Sequence, residues 1–293
     1  MKKIKSITRH VLTEEQPQTP VLRTHELRDT AGNILEETYY YPDGTIEQKT
    51  RRSVNEAGQL LEEQAFTDGD TPDQITSYVR NDEGKIHTKT VTYRNGSASI
   101  TTYEYDLSNH SVTMTTRDQK GGFEGKRYQR LDTEDRMLEE IRHGENEALE
   151  EHQEISYNDE GRPVSHQITI PKQPVRKQFY DYFLNEQGLL NEIEIYDEKE
   201  EVLRADTIEY DEHGNRSRYL MEDFAQAQTL EETWEYDDQQ RIIKNTKQRG
   251  SGILLESSEF TFGEHGRVSE ITISRPTGKQ VDRFEYTFFE EEE

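Results

Sequence analysis

Histidines and carboxylates set in short turns are the residues of this sequence that could do chemistry. His213 and His265 occupy equivalent places in two turns that lie 52 residues apart. If strands join successive turns, four strand spacings, about 19 Å, separate the two imidazoles. One metal ion with bonds of about 2.1 Å cannot bind both of them. We therefore expect each histidine to be an ordinary polar turn residue.

Acidic pairs could supply oxygen ligands to Ca²⁺, which prefers carboxylates. The candidates are Asp68 with Asp70, Asp211 with Glu212, and Asp237 with Asp238. Asp beside Gly is also typical of tight turns, in which the side chain bonds its own backbone. We favour the turn interpretation, so the sequence predicts no metal site and no cofactor.

No catalytic constellation stands out. The sequence has no G-x-S-x-G, Walker loop, G-x-G-x-x-G or H-E-x-x-H motif. Pairs of carboxylates able to act as a glycosidase acid and nucleophile exist by number alone, because the chain has 61 Asp and Glu residues. We predict no catalytic residues and no enzyme activity.

The turns themselves recur about every 26 residues, as in Tyr210 to Gly214 (Y-D-E-H-G). The last residue of this motif defines the turn position, which favours Gly, Asn and Asp because they tolerate a left-handed backbone. Gln240 departs from that preference. The turn position is occupied by Gly32, Gly58, Gly84, Asn109, Asp135, Gly161, Gly188, Gly214, Gln240 and Gly266.

Aromatic residues recur four and six residues before the turn position, here called the −4 and −6 positions. Two positions spaced by two residues put their side chains on one face of a strand. We predict that this ladder is structural and that the single tryptophan, Trp234, is largely dry within it. Its members are Tyr103, Tyr105, Tyr157, Tyr182, Tyr210, Trp234, Tyr236, Phe260, Phe262, Tyr286 and Phe288.

This periodicity predicts an all-β repeat protein: a single long antiparallel β-meander of about 11 hairpins of 26 residues, forming a twisted and curled open sheet. Residues 1–31 would form a degenerate first hairpin, with strands over 4–12 and 21–27 and a loop carrying Pro17 and Pro20. Residues 32–288 would form the repeat array, and 289–293 an acidic tail. The stretches 144–153 and 225–232 have some helical character, but we assign them to strand and loop.

Charge limits the classes of partner. The net charge is −25, and residues 1–100 hold 13 Lys and Arg against 16 Asp and Glu, leaving 23 against 45 in the remainder. Such a chain disfavours nucleic acid and anionic membranes and attracts basic partners. No apolar run resembles a signal peptide or a membrane span, so we expect a cytoplasmic protein without membrane insertion. Charged residues at both ends of the predicted open sheet favour an elongated monomer.

The motifs resemble the Y-D-x-x-G-R/N core of the RHS/YD-repeat family over residues 20–288. The clearest copies are Tyr105-Asp106, Tyr157 to Arg162 (Y-N-D-E-G-R), Tyr210 to Asn215 (Y-D-E-H-G-N) and Tyr236-Asp237-Asp238. The resemblance implies a bacterial cell-surface or toxin-delivery context and a spiralling β-sheet shell. This chain shows no toxin-like C-terminal domain, and eleven hairpins are too few to close a cocoon.

Two functional hypotheses follow. The first is a non-catalytic interaction protein, in its sharpest form an immunity protein that neutralises a basic toxin. The second is a carbohydrate-binding or cell-surface fragment whose exposed aromatic rings stack on sugars. The orientation of the tyrosine ladder discriminates them, since buried rings favour the first and exposed rows the second.

Overall fold

The chain is all-β in the computed structural model, which describes residues 3–14 and 16–290. Alternating side chains and turn residues produce 22 strands, with one short 3₁₀ turn at Glu264–Gly266. No helix of the described ranges is long and apolar enough to cross a membrane. The strands are β1 (Ile4–Thr13), β2 (Gln16–Arg28), β3 (Ile34–Tyr40), β4 (Ile46–Val54), β5 (Leu60–Phe66), β6 (Gln74–Arg80), β7 (Ile86–Tyr93), β8 (Ala98–Asp106), β9 (Ser111–Asp118), β10 (Phe123–Leu131), β11 (Met137–His143), β12 (Leu149–Tyr157), β13 (Pro163–Thr169), β14 (Arg176–Leu184), β15 (Leu190–Tyr196), β16 (Val202–Tyr210), β17 (Arg216–Asp223), β18 (Gln228–Tyr236), β19 (Ile242–Arg249), β20 (Ile253–Phe262), β21 (Val268–Arg275) and β22 (Gly278–Phe288).

Two compact units divide these strands. One unit spans 48–179, and within it β5 to β13 pair in chain order, each antiparallel to the next. The other spans 1–47 and 180–293, and within it β15 to β22 pair in the same way. In this second unit β1 pairs with both β2 and β22.

The pairing of β1 with β22 corrects the predicted open sheet. Their register runs from Ser6 opposite Thr287 to Thr13 opposite Gln280. The first and last strands therefore satisfy each other's backbone groups, and the 22-stranded sheet is closed at β1 and β22 rather than open there. Because neither end is a free edge, end charges are not needed to prevent further pairing. The elongated monomer was inferred from charges at two open ends, and these ends are paired with each other.

A β-bulge beside most of the Gly-type turns supplies a physical reason for closure. In the hairpin of Gly214, Glu209 pairs with Arg218 but Tyr210 pairs with Arg216, so Ser217 has no partner of its own. Bulges bend a strand and increase its twist, and repeated bends favour a sheet that meets itself. The same shift occurs at Arg28, Val54, Arg80, Leu131, Tyr157, Tyr210, Tyr236 and Phe262.

The face that carries the −6 and −4 positions, here the aromatic face, also holds deeply buried carboxylates. The opposite face of each strand is here called the charged face. Each buried carboxylate is tolerated because an arginine on the same face neutralises it. The pairs are Asp282 (3% exposed) with Arg9 at 2.7 Å, Asp206 (6%) with Arg204 at 2.6 Å, and Glu140 (5%) with Arg127 at 3.0 Å.

The N-terminal hairpin differs from the prediction in its second strand. Pro17 and Pro20 lie inside β2 rather than in a loop. Proline lacks a backbone donor, and β2 begins its described pairing with β3 only at Thr24, so no ladder bond to β3 is lost. The stretches 144–153 and 225–232 are turn and strand, as predicted. Of the predicted acidic tail, residues 291–293 lie outside the described residues.

Candidate functional site

The predicted turn glycines all adopt the left-handed backbone that their spacing required. Their φ angles run from 69° to 96° at Gly32, Gly58, Gly84, Gly161, Gly188, Gly214 and Gly266. Asp135 and Gln240 adopt the same conformation, with φ of 61° and 62°, so Gln240 keeps the turn despite its side chain. In one repeat the left-handed residue is His110 rather than the predicted Asn109.

An Asp or Asn three residues before the turn position clamps every predicted turn except that of Gly266, where Gly263 stands. In the Gly214 turn, the backbone N–H groups of His213 and Asn215 donate to Asp211 Oδ1 at 2.9 and 2.8 Å. The side-chain amide of Asn215 donates to Asp211 Oδ2 at 3.0 Å. The pKa of Asp211 is lowered below its ordinary value, and the largest cause is this hydrogen bond from the Asn215 amide. These aspartates are structural, as the turn interpretation predicted.

The tyrosines of the ladder hold neighbouring hairpins together. Five of their hydroxyls donate to the carbonyl two residues after the preceding turn position, at distances between 2.7 and 3.0 Å. A tyrosine is not essential for this contact, because Arg80 at a −4 position donates to the equivalent carbonyl of Leu60 at 3.2 Å. The pairs are Tyr105 with Ile86, Tyr157 with Met137, Tyr210 with Leu190, Tyr236 with Arg216, and Tyr286 with Val268.

The residue after the turn position often places a cation over the ring of the next repeat. Such contacts stabilise a fold by roughly 0.5–1 kcal/mol at exposed sites. They explain why Arg follows Gly in the motif, a role that sequence reasoning did not assign. The pairs are Lys85 over Tyr105 (5.2 Å), Arg136 over Tyr157 (5.0 Å), Arg241 over Phe262 (4.1 Å) and Arg267 over Phe288 (5.6 Å).

The repeat of Gly214 lacks this cation, as the repeat of Gly188 does with Leu189, and a cleft lies beside its next aromatic ring. Asn215 follows Gly214, so no cation of this series lies over Tyr236. The opening beside it has a volume of about 450 Å³. Trp234 is half-buried there, with the guanidinium of Arg216 5.7 Å from its ring centre. The cleft is lined by Asp211, Glu212, His213, Ser217, Trp234, Tyr236, Asp237, Asp238 and Gln240.

Two of the four carboxylates in the cleft are already committed. Asp211 clamps its turn, and Asp237 binds the Arg241 guanidinium at 2.6 Å. The Arg241 side chain is the main cause of the lowered pKa of Asp237. The Glu212 side chain is 88% exposed, and the ion-pair partner it has among the described residues is the His213 ring, at 3.6 Å. Asp238 has no ion-pair partner among the described residues, so Glu212 and Asp238 are available to a cationic ligand.

The remaining candidates do not form a second site with these residues. His265 lies in the 3₁₀ turn, its ring packed edge-on against Phe288 at 5.8 Å between ring centres. Asp68 pairs with Arg94, which also contacts Asp73 at 3.0 Å. Arg94 neutralises the charge that would have attracted Ca²⁺. Tyr103 and Phe260 are half-buried on the aromatic face, as is Tyr182, whose side chain also has a partner.

Trp234 is thus not the dry residue that was predicted. The ladder rings are neither fully buried nor an exposed row: most are half-buried, and Tyr105 is 36% exposed. The bonded hydroxyls give the tyrosines a structural role, whereas Trp234 and Tyr236 line an opening. The absence of a cation after Gly214 is a sequence signal at the cleft, but Leu189 after Gly188 shares it, so this signal alone could not have located the cleft.

Comparison with known proteins adds neighbours of low similarity. No family model matches the chain, and no curated relative does. Among solved structures, it is similar to a chain of the TcdB2-TccC3-Cdc42 complex, with 16% identity, a TM-score of 0.38, and coverage of 89% of this chain and 16% of that one. A mutant Tc holotoxin pore from Photorhabdus luminescens gives 14% identity, a TM-score of 0.31, and coverage of 92% and 19%.

A porin-like protein from Bacteroides uniformis gives 11% identity, a TM-score of 0.31, and coverage of 97% of this chain and 98% of that one. The chain spans less than a fifth of the two toxin chains that it matches. Neighbours with TM-scores below 0.5 do not define a function for this protein.

Proposed function

We propose that this chain is a non-catalytic interaction protein built on RHS/YD-like repeats, and that its cleft at Trp234 and Tyr236 binds a basic protein partner. The observation that carries the proposal is the open cleft beside Tyr236, where Asn215 supplies no cation. Four other repeats cover an aromatic ring with their own cation. The ring of Tyr236 instead faces an opening with two uncommitted carboxylates, Glu212 and Asp238.

The chemistry of this cleft suits an arginine or lysine side chain from outside. A guanidinium placed over the Tyr236 ring would gain the attraction that Arg241 gives Phe262 within the chain. Its N–H groups would donate to Glu212 and Asp238, and hydrogen bonds between ionised groups are stronger than neutral ones. The partner would supply the cation that the repeat lacks.

The charge of the whole chain supports the same kind of partner. With a net charge of −25, the protein attracts basic surfaces over long distances and accelerates their encounter. In its sharpest form the proposal is a cytoplasmic immunity protein, acting as a monomer, that neutralises a basic toxin. Nucleic acid and membrane insertion are not part of the proposed function.

Carbohydrate binding is the alternative, and one observation favours it. Trp234 and Tyr236 are partly exposed side by side in a cleft with carboxylates, an arrangement that can stack on a sugar ring and accept hydrogen bonds from its hydroxyls. A neutral sugar gains little from the net charge. Salt dependence therefore separates the two functions.

Isothermal titration calorimetry with an arginine-rich peptide tests the proposal. We expect Asn215→Arg to abolish binding, because the new side chain would occupy the place over Tyr236. Asn215→Gln, which adds no charge, should keep it. The double variant Glu212→Gln/Asp238→Asn should bind at least about tenfold more weakly, the loss of about 1.4 kcal/mol.

A matched control uses equivalent turn residues outside the cleft. Asp159 and Glu186 stand two residues before Gly161 and Gly188, as Glu212 and Asp238 do before their own turn residues. The double variant Asp159→Asn/Glu186→Gln removes the same charge and should bind like the unmodified protein. If both double variants weakened peptide binding equally, the loss would come from the lower net charge alone, and the assignment of binding to the cleft would be wrong. Tight, salt-insensitive binding of a neutral oligosaccharide would support the alternative.

A further inference from the structure

A second group of chemically active side chains lies on the charged face of β11 and β12. Glu139 lies directly opposite Glu154 in the antiparallel pair, and His152 lies two residues before Glu154 on the same strand. The His152 Nε2 atom is 3.0 Å from Glu139 Oε1. One ligand atom from each of these residues lies within 4.8 Å of the other two. This group belongs to the unit spanning 48–179 and is separate from the Trp234 cleft.

We propose that Glu139, His152 and Glu154 bind a divalent transition-metal ion, with Zn²⁺ as the reference ion. Four ligands at about 2.1 Å around a tetrahedral ion lie about 3.4 Å apart. The three ligand atoms now lie within 4.8 Å of one another. Rotation of the side chains would bring them to that separation, because all three residues lie on two paired strands. Three protein ligands leave one position for water or a ligand atom of another molecule.

The two carboxylates lie opposite each other, and one of them, Glu139, pairs with the Arg130 guanidinium at 3.2 Å. Like charges directly opposite each other on paired strands are destabilising. The imidazole of His152 adjoins one carboxylate, but it carries a compensating charge only when protonated. A bound dication would relieve this repulsion, as it does wherever carboxylates share a metal.

Neighbouring strands orient the two carboxylates from behind. On β10, the Arg130 guanidinium donates to Glu139 Oε2 at 3.2 Å, which leaves Oε1 turned toward His152. On β13, the Gln167 amide donates to Glu154 Oε2 at 3.0 Å. Hydrogen bonds of this kind fix the direction of metal ligands and raise their affinity. The four strands together therefore provide ligands and their supporting donors.

The ligand set decides which cations fit. One imidazole nitrogen with two carboxylates suits Zn²⁺, Co²⁺, Ni²⁺ or Mn²⁺, whereas Ca²⁺ prefers six or more oxygen ligands. Exposed carboxylates elsewhere on this acidic chain bind cations weakly and without nitrogen. Dependence on His152 therefore distinguishes the proposed site from that background.

Metal titration of the whole chain provides the test. We expect one Zn²⁺ equivalent to bind by calorimetry, and Co²⁺ to give the intense visible d–d absorption band that is typical of four-coordinate Co²⁺. His152→Gln keeps a polar side chain and the net charge, so it should weaken Zn²⁺ binding at least about tenfold and remove the Co²⁺ band. His87→Gln, which changes an exposed histidine on β7, should alter neither.

Folding is checked by measuring the Tm of each variant with and without metal. Zn²⁺ should raise the Tm of the unmodified protein and of His87→Gln, because a ligand that binds only the folded state stabilises it. It should raise the Tm of His152→Gln much less. Zn²⁺ binding that is equal in His152→Gln and the unmodified protein, or no stoichiometric binding at all, would overturn the proposal and leave a structural His–Glu pair only.

Discussion

The hydroxyl of Tyr210 donates to the backbone carbonyl of Leu190, 2.7 Å away and 20 residues earlier in the chain. Leu190 lies two residues after Gly188, at the point where its strand begins. The tyrosine of one repeat thus fastens the turn of the repeat before it. Four other tyrosines make the equivalent contact, which gives the first letter of the Y-D motif a physical role.

Removal of that hydroxyl should cost a measurable part of the stability. Tyr210→Phe keeps the ring and leaves the Leu190 carbonyl without this donor, so we expect a loss of about 1 kcal/mol in the free energy of unfolding. Urea denaturation measures the change. Tyr93→Phe is the control, because Tyr93 is 41% exposed and its hydroxyl has no hydrogen-bond partner among the described residues. Equal losses in both variants would contradict the fastening role.

The aspartate clamps predict how stability responds to acid. The pKa of Asp211 is lowered chiefly by the Asn215 amide, so its carboxylate stabilises the fold above the ordinary pKa of about 4. That contribution is lost as the pH falls from there through the lower, folded-state value. Asn185 makes the same backbone contacts in another turn without a charge.

Two single substitutions, one in each turn, test how stability responds to acid. Asp211→Asn should keep the turn and reduce the fall in the urea midpoint between about pH 4 and pH 2. Asn185→Asp should increase that fall. The prediction fails if Asp211→Asn leaves the acid response unchanged while the protein remains folded.

Closure of the sheet can be tested by a cross-link between its first and last strands. Thr8 lies opposite Glu285, and partners in an antiparallel pair have Cα atoms about 4.5–5.5 Å apart, within the range of a disulfide. The chain contains no cysteine, so the double variant Thr8→Cys/Glu285→Cys should form one intramolecular disulfide, visible by mass spectrometry after oxidation. An open sheet would leave both thiols free.

A second cysteine pair controls for flexible encounters. Glu259 lies on β20, three strands from β1, or about 14 Å across the sheet. The double variant Thr8→Cys/Glu259→Cys should therefore stay reduced under the same conditions. Efficient cross-linking of both pairs would show that the bond reports chain mobility rather than register.

The left-handed turns predict opposite effects for two substitutions. Gly188→Ala meets no atom within 4 Å, yet its φ of 77° disfavours any side chain, so it should cost about 1–2 kcal/mol. Lys172→Gly relieves a φ of 66° and should stabilise the protein by up to about 1 kcal/mol. Urea denaturation of both variants checks the signs. A destabilising Lys172→Gly would mean that its side chain compensates the strain.

Local features of the fold could be predicted because they depend on residues close in sequence. The turn at Gly214 requires a left-handed residue, and Asp211 reaches its own turn without help from elsewhere. The strand that begins at Gln228 follows from the register that those turns impose. Even Gln240 could be placed in a turn by spacing alone.

Closure and the cleft could not be predicted in this way. The pairing of Thr8 with Glu285 joins residues at opposite ends of the chain, and no local pattern encodes it. The burial of Asp282 depends on its pairing with Arg9, which is also remote in sequence. Trp234 was expected to be dry because it belongs to the aromatic ladder on one face of the sheet. The absence of a cation after Gly214 could be interpreted only once the contacts in other repeats were known.

Quenching of Trp234 fluorescence by acrylamide tests the central claim, that this cleft accepts a cationic side chain, most directly. Trp234 is the only tryptophan, so the signal reports the cleft alone. We predict that an arginine-rich peptide protects Trp234 from acrylamide in the unmodified protein, that salt weakens this protection, and that Asn215→Arg abolishes the response to the peptide. Quenching that the peptide leaves unchanged, or protection that persists in Asn215→Arg, would contradict the claim.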